Sequence, residues 1–147
     1  MYRSARKELS YLKKHRKSAA YSNDAAVCVF CSLHKNEPER IRESTNSCLV
    51  IENLYPYDFW DHHRVTDHLM IVPKRHVQGI HELNSAERND YWKLLQKYEG
   101  QSYNFYARAG SNTTKSVHHQ HGHLIKTDTS KNRMLLFLRT PMVRIVK

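Results

Sequence analysis

Apolar residues along this chain come in short runs with two rhythms. Cys48-Leu49-Val50-Ile51 is a continuous run rich in β-branched side chains and predicts a strand. His68-Leu69-Met70-Ile71-Val72 predicts a second, stopped by Pro73, which has no N–H to give a sheet ladder. Between them, Asn53 to Asp67 mixes Pro56, several aromatics and the pair His62-His63, and is expected to form a loop. From Ser85 the rhythm changes. Tyr91, Leu94, Leu95 and Tyr98 recur at helical spacing, with Ser85 as N-cap, Glu87 and Asp90 where the helix dipole favours acids, and Gly100 as the stop. Gln101 to Ala109 then alternates through Tyr103, Phe105 and Ala107 as a strand does, and Gly110-Ser111-Asn112 marks a turn. Val117 to Lys126 reads as another strand. Met134 to Leu138 and Met142 to Val146 read as closing strands, interrupted at Pro141. Strands joined by turns around one long helix predict an α+β domain on an antiparallel sheet.

The first 24 residues break from this pattern. Residues 1–20 carry Arg3, Arg6, Lys7, Lys13, Lys14, Arg16 and Lys17 against the single acid Glu8, and Tyr2, Leu9 and Leu12 are too few for a wide apolar face. A basic, helical extension at 1–24 ahead of one domain at 25–147 is the expected organisation. The chain as a whole has a formal net charge of +10 and a pI near 9.7. That balance favours anionic partners such as nucleotides, nucleic acid or acidic membranes, with plain solubility as the alternative. No stretch approaches the roughly 20 apolar residues that span a bilayer, and residues 1–18 lack the apolar core of a secretory signal. Three cysteines leave one over, against a disulfide framework and for a reducing, cytoplasmic location.

The chemistry concentrates in Ser116-Val117-His118-His119-Gln120-His121-Gly122-His123-Leu124-Ile125. On a strand, successive residues face opposite ways, so His119, His121 and His123 share one side. Three imidazoles in register pack poorly, because each ring has two nitrogens to satisfy. A solvent-facing strand accommodates one such residue. Three, followed by the apolar Leu124-Ile125, point to metal binding or to histidine chemistry at an anionic centre.

His119-Gln120-His121-Gly122-His123-Leu124-Ile125 resembles the signature of the histidine triad (HIT) family. Upstream, His68-Leu69-Met70-Ile71-Val72-Pro73-Lys74-Arg75-His76-Val77 is similar to that family's strand and turn, and Cys28-Val29-Phe30-Cys31 is similar to the opening common in bacterial members. The three blocks occur in family order over residues 28–125. The resemblance implies a HIT-like fold, a homodimer, and attack by the middle histidine, His121, on the α-phosphorus of a nucleotide derivative through a covalent nucleotidyl-histidine. It further implies that His123 bonds a phosphoryl oxygen and that His119 orients the His121 ring through its other nitrogen. Ser116 would lie near the leaving group and Asn53 near the ribose, although an asparagine ending a strand is also an ordinary turn former. In zinc-bearing bacterial members the corresponding ligand set would be Cys28, Cys31, His76 and His119, a structural zinc site. Cys48, inside an apolar run, reads as core.

The departures are as informative. Gln120 and Gly122 stand where the signature has hydrophobics, on the face opposite the three histidines. Thr113-Thr114-Lys115 replaces an Ala-Gly-Gln, and Lys115 is expected either to contact a phosphate or to be solvated. The Pro56–His68 segment is longer than usual, and its residues 57–67 would shape a base pocket or form a surface flap. Within the resemblance, a phosphoramidate and a dinucleoside polyphosphate stay open as substrates. The basic extension leaves adenylylated or capped nucleic-acid ends as a second possibility, and a non-catalytic nucleotide- or zinc-binding module as a third.

Overall fold

The computed structural model describes residues 28–111, 115, 117–131, 135–139 and 142–146. The expected basic extension at 1–24, and Ser116, lie outside the described residues. The elements in chain order are α1 (Leu33–Asn36), β1 (Ile41–Ser44), β2 (Cys48–Glu52), β3 (Phe59–Trp60), β4 (His63–Pro73), α2 (Ser85–Glu99), β5 (Asn104–Ala107), β6 (Gly122–Lys131), β7 (Leu135–Arg139) and β8 (Met142–Val146). The main sheet runs β1-β2-β4-β6-β5, antiparallel throughout, with β3 folded onto β4 as a hairpin. β7 and β8 pair with each other as a separate two-stranded sheet. The domain is thus α+β, an antiparallel sheet with one long helix, and none of its helices among the described residues is long and apolar enough to cross a membrane.

Residues 48–51 of β2 and 69–72 of β4 are apolar without a break because both faces of the sheet are covered there. Cys48 and Val50 of β2, Leu69 and Ile71 of β4, and Leu124 of β6 pack with Tyr91, Leu94 and Tyr98 of α2. The intervening residues Leu49, Ile51, Met70 and Val72 face the other way, against Cys28, Phe30, Leu33 and Val117. Cys48 is core, as its neighbours predicted.

Several boundaries differ from the sequence reading. The N-cap of α2 is Asn84, not Ser85. Asn84 Oδ1 accepts from the Glu87 N–H while the Glu87 carboxylate takes the Asn84 N–H, a reciprocal box that Ser85, with Arg88 three residues on, could not form. The helix stops at Gly100 with ordinary right-handed dihedrals, and Ser102 takes the left-handed conformation instead. The expected loop at 53–67 is largely ordered as the β3–β4 hairpin, whose two turn residues, Asp61 and His62, both have positive φ, the geometry that matches strand twist in a two-residue connection. The strand expected from Val117 starts only at Gly122. Before it, the backbone N–H of Gln120 bonds the Val77 carbonyl at 2.6 Å and leaves the ladder.

The turn after β4 is tied to the start of α2 by Arg75. Its guanidinium grips both oxygens of Glu87, at 2.8 and 2.7 Å, and also donates to the Glu82 carbonyl. The bond from Arg75, with the Asn84 N–H adding to it, holds the Glu87 carboxyl down at about 2. A carboxylate with a lowered folded value stabilises the fold above its ordinary titration range and loses that contribution as pH falls toward the folded value. Glu87→Gln should therefore be less stable than wild type in urea at pH 7, and the gap should narrow between about pH 4.5 and 2. A gap independent of pH would exclude the carboxylate as its cause.

Candidate active site and metal cluster

The three alternating histidines lie where β6 begins, on the sheet face opposite α2. Met70, which faces away from the helix, pairs with His123 across β4 and β6. Only His123 belongs to β6. His119 and His121 precede it in an irregular segment, but their rings stay in sequence, with T-shaped contact between His121 and His123 at 5.2 Å and Phe30 packed edge-on against both His119 and His121. All three are buried.

Hydrogen bonds assign each ring a tautomer. In His119, Nε2–H donates to the Pro73 carbonyl at 2.8 Å, leaving the Nδ1 lone pair 3.4 Å from Cys28 Sγ and 3.5 Å from Cys31 Sγ. In His121, Nδ1–H donates to the backbone carbonyl of His119 at 2.8 Å, which leaves its lone pair on Nε2. The His121 ring is therefore oriented by the main chain of His119 and not by its imidazole, a correction to the role expected from the resemblance. Burial holds both His119 and His121 down at about 4, so at neutral pH each is an uncharged imidazole.

His123 brings in a residue that the sequence reading left unassigned. Its Nδ1 lies 2.9 Å from Nε2 of His68 on β4. Since the Tyr57 N–H donates to His68 Nδ1 at 3.1 Å, neutral His68 carries its proton on Nε2 and gives it to His123, whose own proton is then on Nε2. Alternation places His68 on the Met70 face, but only the β4–β6 register brings it beside His123. Asn53 stands next to His68, its amide nitrogen 3.1 Å from Nε2, while its Oδ1 caps the Tyr55 N–H as a turn former does. The hairpin adds Tyr57 and Trp60, and β5 adds Tyr106, which stacks on His123 with ring centroids 5.8 Å apart.

Beside this row lies a second cluster. Cys28, Cys31, His76 and His119 each offer one ligand atom, all within 4.8 Å of one another. Three N···S separations are 3.4, 3.4 and 3.5 Å. A tetrahedral zinc ion with sulfur at 2.3 Å and nitrogen near 2.05 Å places such atoms about 3.6 Å apart, so the donor set fits that ion in identity and in size. Burial and the neighbouring Cys28 push the Cys31 thiol up to about 12, a state that a bound dication reverses by taking thiolates as ligands.

The HIT domain family model matches residues 44–130, more than half of the 147-residue chain. The chain belongs to the HIT family. No curated protein matches it. Among solved structures, a hypothetical protein from Leishmania major is 24% identical, with a TM-score of 0.57, over 81% of this chain and 86% of that one. A HIT family hydrolase from Clostridium thermocellum is 22% identical, with a TM-score of 0.53, over 74% and 96%. A zinc-bound histidine triad family protein from Mycobacterium smegmatis is 17% identical, with a TM-score of 0.56, over 72% and 78%. At these identities the likeness is one of fold.

The HIT signature's two departures in this chain have a structural reason. Gln120 is buried and bonded to Lys115, and Gly122 leaves room for Tyr91, whose buried hydroxyl lies beside Gln120. A Cβ on Gly122 would overlap both the Tyr91 hydroxyl and the Phe105 ring. Gly122→Ala should therefore destabilise the domain by about 1–3 kcal/mol in urea unfolding. Adding Tyr91→Phe should recover part of that loss, since it deletes the overlapping oxygen. No recovery would place the strain on Phe105.

Proposed function

We propose that this HIT protein is a nucleotidyl hydrolase or transferase with His121 as nucleophile. One observation carries the reading. Of the three histidines, His119 directs its lone pair at two sulfurs and His123 receives a proton from His68, whereas the described residues leave the Nε2 lone pair of neutral His121 uncommitted. That nitrogen attacks the α-phosphorus of a nucleotide derivative, a P–N bond forms, and the bond to the leaving group breaks with its electron pair. Water or another acceptor then attacks phosphorus, and the P–N electrons return to His121. Nε2–H of His123 donates to a non-bridging phosphoryl oxygen as charge builds there. Asn53, beside His68, holds the ribose, and Ser116 serves the phosphate end. Both a phosphoramidate and a dinucleoside polyphosphate meet these requirements, and hydrolysis is in line with the Clostridium relative being a hydrolase.

The same reading includes a zinc ion held by Cys28, Cys31, His76 and His119, in line with the zinc-bound Mycobacterium relative. Its contribution would be structural, cross-linking the Cys28–Cys31 turn, the turn after β4 and the catalytic segment. A homodimer, implied by the family, completes the reading, and sedimentation or light scattering measures it. The deciding experiment is nucleotide release from a nucleoside phosphoramidate, a dinucleoside polyphosphate and a 5′-adenylylated oligonucleotide. Quenched samples should carry a nucleotidyl group on a peptide containing His121. Preference for the oligonucleotide, with affinity falling steeply with salt, would assign the net charge of +10 to nucleic-acid ends. No release from any of the three would favour a non-catalytic module.

A further inference from the structure

We infer that Lys115 is a positioning residue for His121, a buried cation that clamps the catalytic segment and sets positive charge beneath the phosphoryl group. The inference rests on His121 being the nucleophile. Lys115 was expected to be solvated or to reach a phosphate directly, yet only 1% of its surface is exposed. Its ammonium donates to the Gln78 carbonyl at 2.6 Å and to Gln120 Oε1 at 3.1 Å, two neutral acceptors. Glu82 acts on it only through space, with no ion pair between them among the described residues. A lysine buried this deeply without an ion pair is costly, and apolar packing would hold the segment at lower cost. Lys115 and Gln120 are moreover two of the positions at which this chain leaves its family's pattern, and here they bond each other.

The clamp is one of three anchors. The Pro73 carbonyl takes the His119 ring, the Val77 carbonyl takes the Gln120 N–H, and the Gln78 carbonyl takes the Lys115 ammonium. Pro73 ends β4 and the other two lie on the turn after it, so the position of His121 is set by the end of that strand and its turn. Gly110 lets the arrangement close, because a Cβ there would lie 2.9 Å from the Gln78 oxygen. The charge acts in the direction the chemistry needs. Its field favours the negative charge of the phosphoryl group, most strongly in the transition state, where a nucleophile has added to it.

The test compares Lys115→Met with Lys115→Met/Gln120→Val. The single variant leaves the Gln120 amide unpaired, and the double variant replaces the bonded pair with apolar groups. We expect the double variant to regain a wild-type melting temperature. Both should keep kcat about tenfold or more below wild type, with KM within about threefold. A folded double variant with wild-type kcat overturns the inference, and so does a raised KM at unchanged kcat, which would make Lys115 a ground-state binder. Should the double variant not fold, Lys115→Gln, which keeps a donor without the charge, takes its place with the same two readings. A wild-type protein that releases no nucleotide from any of the three compounds overturns the nucleophile assignment and this inference with it. Release by wild type with an unaffected variant overturns this inference alone.

Discussion

Replacing His121 with alanine is expected to lower nucleotide release by roughly a thousandfold or more, with nucleotide affinity kept within about threefold. The size of the loss follows from how the neighbouring rings are committed. His119 has its Nε2 proton on the Pro73 carbonyl and its lone pair at the two sulfurs, so it cannot turn to phosphorus without breaking that cluster. His123 accepts from His68 on Nδ1 and is therefore a donor on its other nitrogen. No second imidazole in the row can take over. Binding survives because the ribose and phosphate contacts assigned to Asn53 and His123 do not involve the nucleophile. His121→Asn is the companion variant, since its amide nitrogen can still donate to the His119 carbonyl and hold the local backbone. Equal inactivity in two variants with wild-type melting curves would isolate the chemistry, whereas normal turnover in either would move the nucleophile elsewhere.

The second large effect is on stability. With zinc bound, dialysis against a strong chelator should lower Tm by roughly 10 °C, the consequence of losing about 3 kcal/mol of linkage. Cys28→Ser should show the same loss, and the chelator should then have no further effect. Metal analysis should return one zinc per wild-type chain. Chelator-insensitive melting in a metal-free wild type would reduce the cluster to two thiols and two histidines. Because His119 belongs to both groups, metal loss should also lower turnover, through movement of the carbonyl that orients His121.

β2, β4 and α2 were legible in the sequence because burial alone specifies them. Apolar runs such as Leu49-Val50-Ile51 have no other stable place than a covered sheet, and Tyr91, Leu94 and Tyr98 fit one helix face. Of the four cluster residues, the Cys28 and Cys31 pair was legible from its chemistry, since two thiols on a short turn make half of a zinc site, while His76 and His119 joined it only through the family resemblance. What escaped was set by partners distant in the chain. β1, with its half-exposed pattern, has no burial signature. The stretch 117–121 alternates like a strand, but its hydrogen bonds go to the turn at 73–78. His68 reads as the polar start of an apolar strand until the register with β6 is known. Lys115 lacked any local signal, because nothing in Thr-Thr-Lys-Ser separates a surface lysine from one whose ammonium meets Gln78.

The contacts that build the site have a consequence for the life of the chain during its synthesis. Cys28 and His119 are 91 residues apart, Cys31 and His119 are 88, His68 and His123 are 55, and Pro73 and His119 are 46. A ribosome releases the cysteine pair and the β4 histidine long before it makes the segment that joins them. Loops of this length close late, after local helix and hairpin contacts have formed. A nascent chain that ends before residue 119 therefore carries the two thiols and the β4 histidine without the ring partners they meet in the folded site.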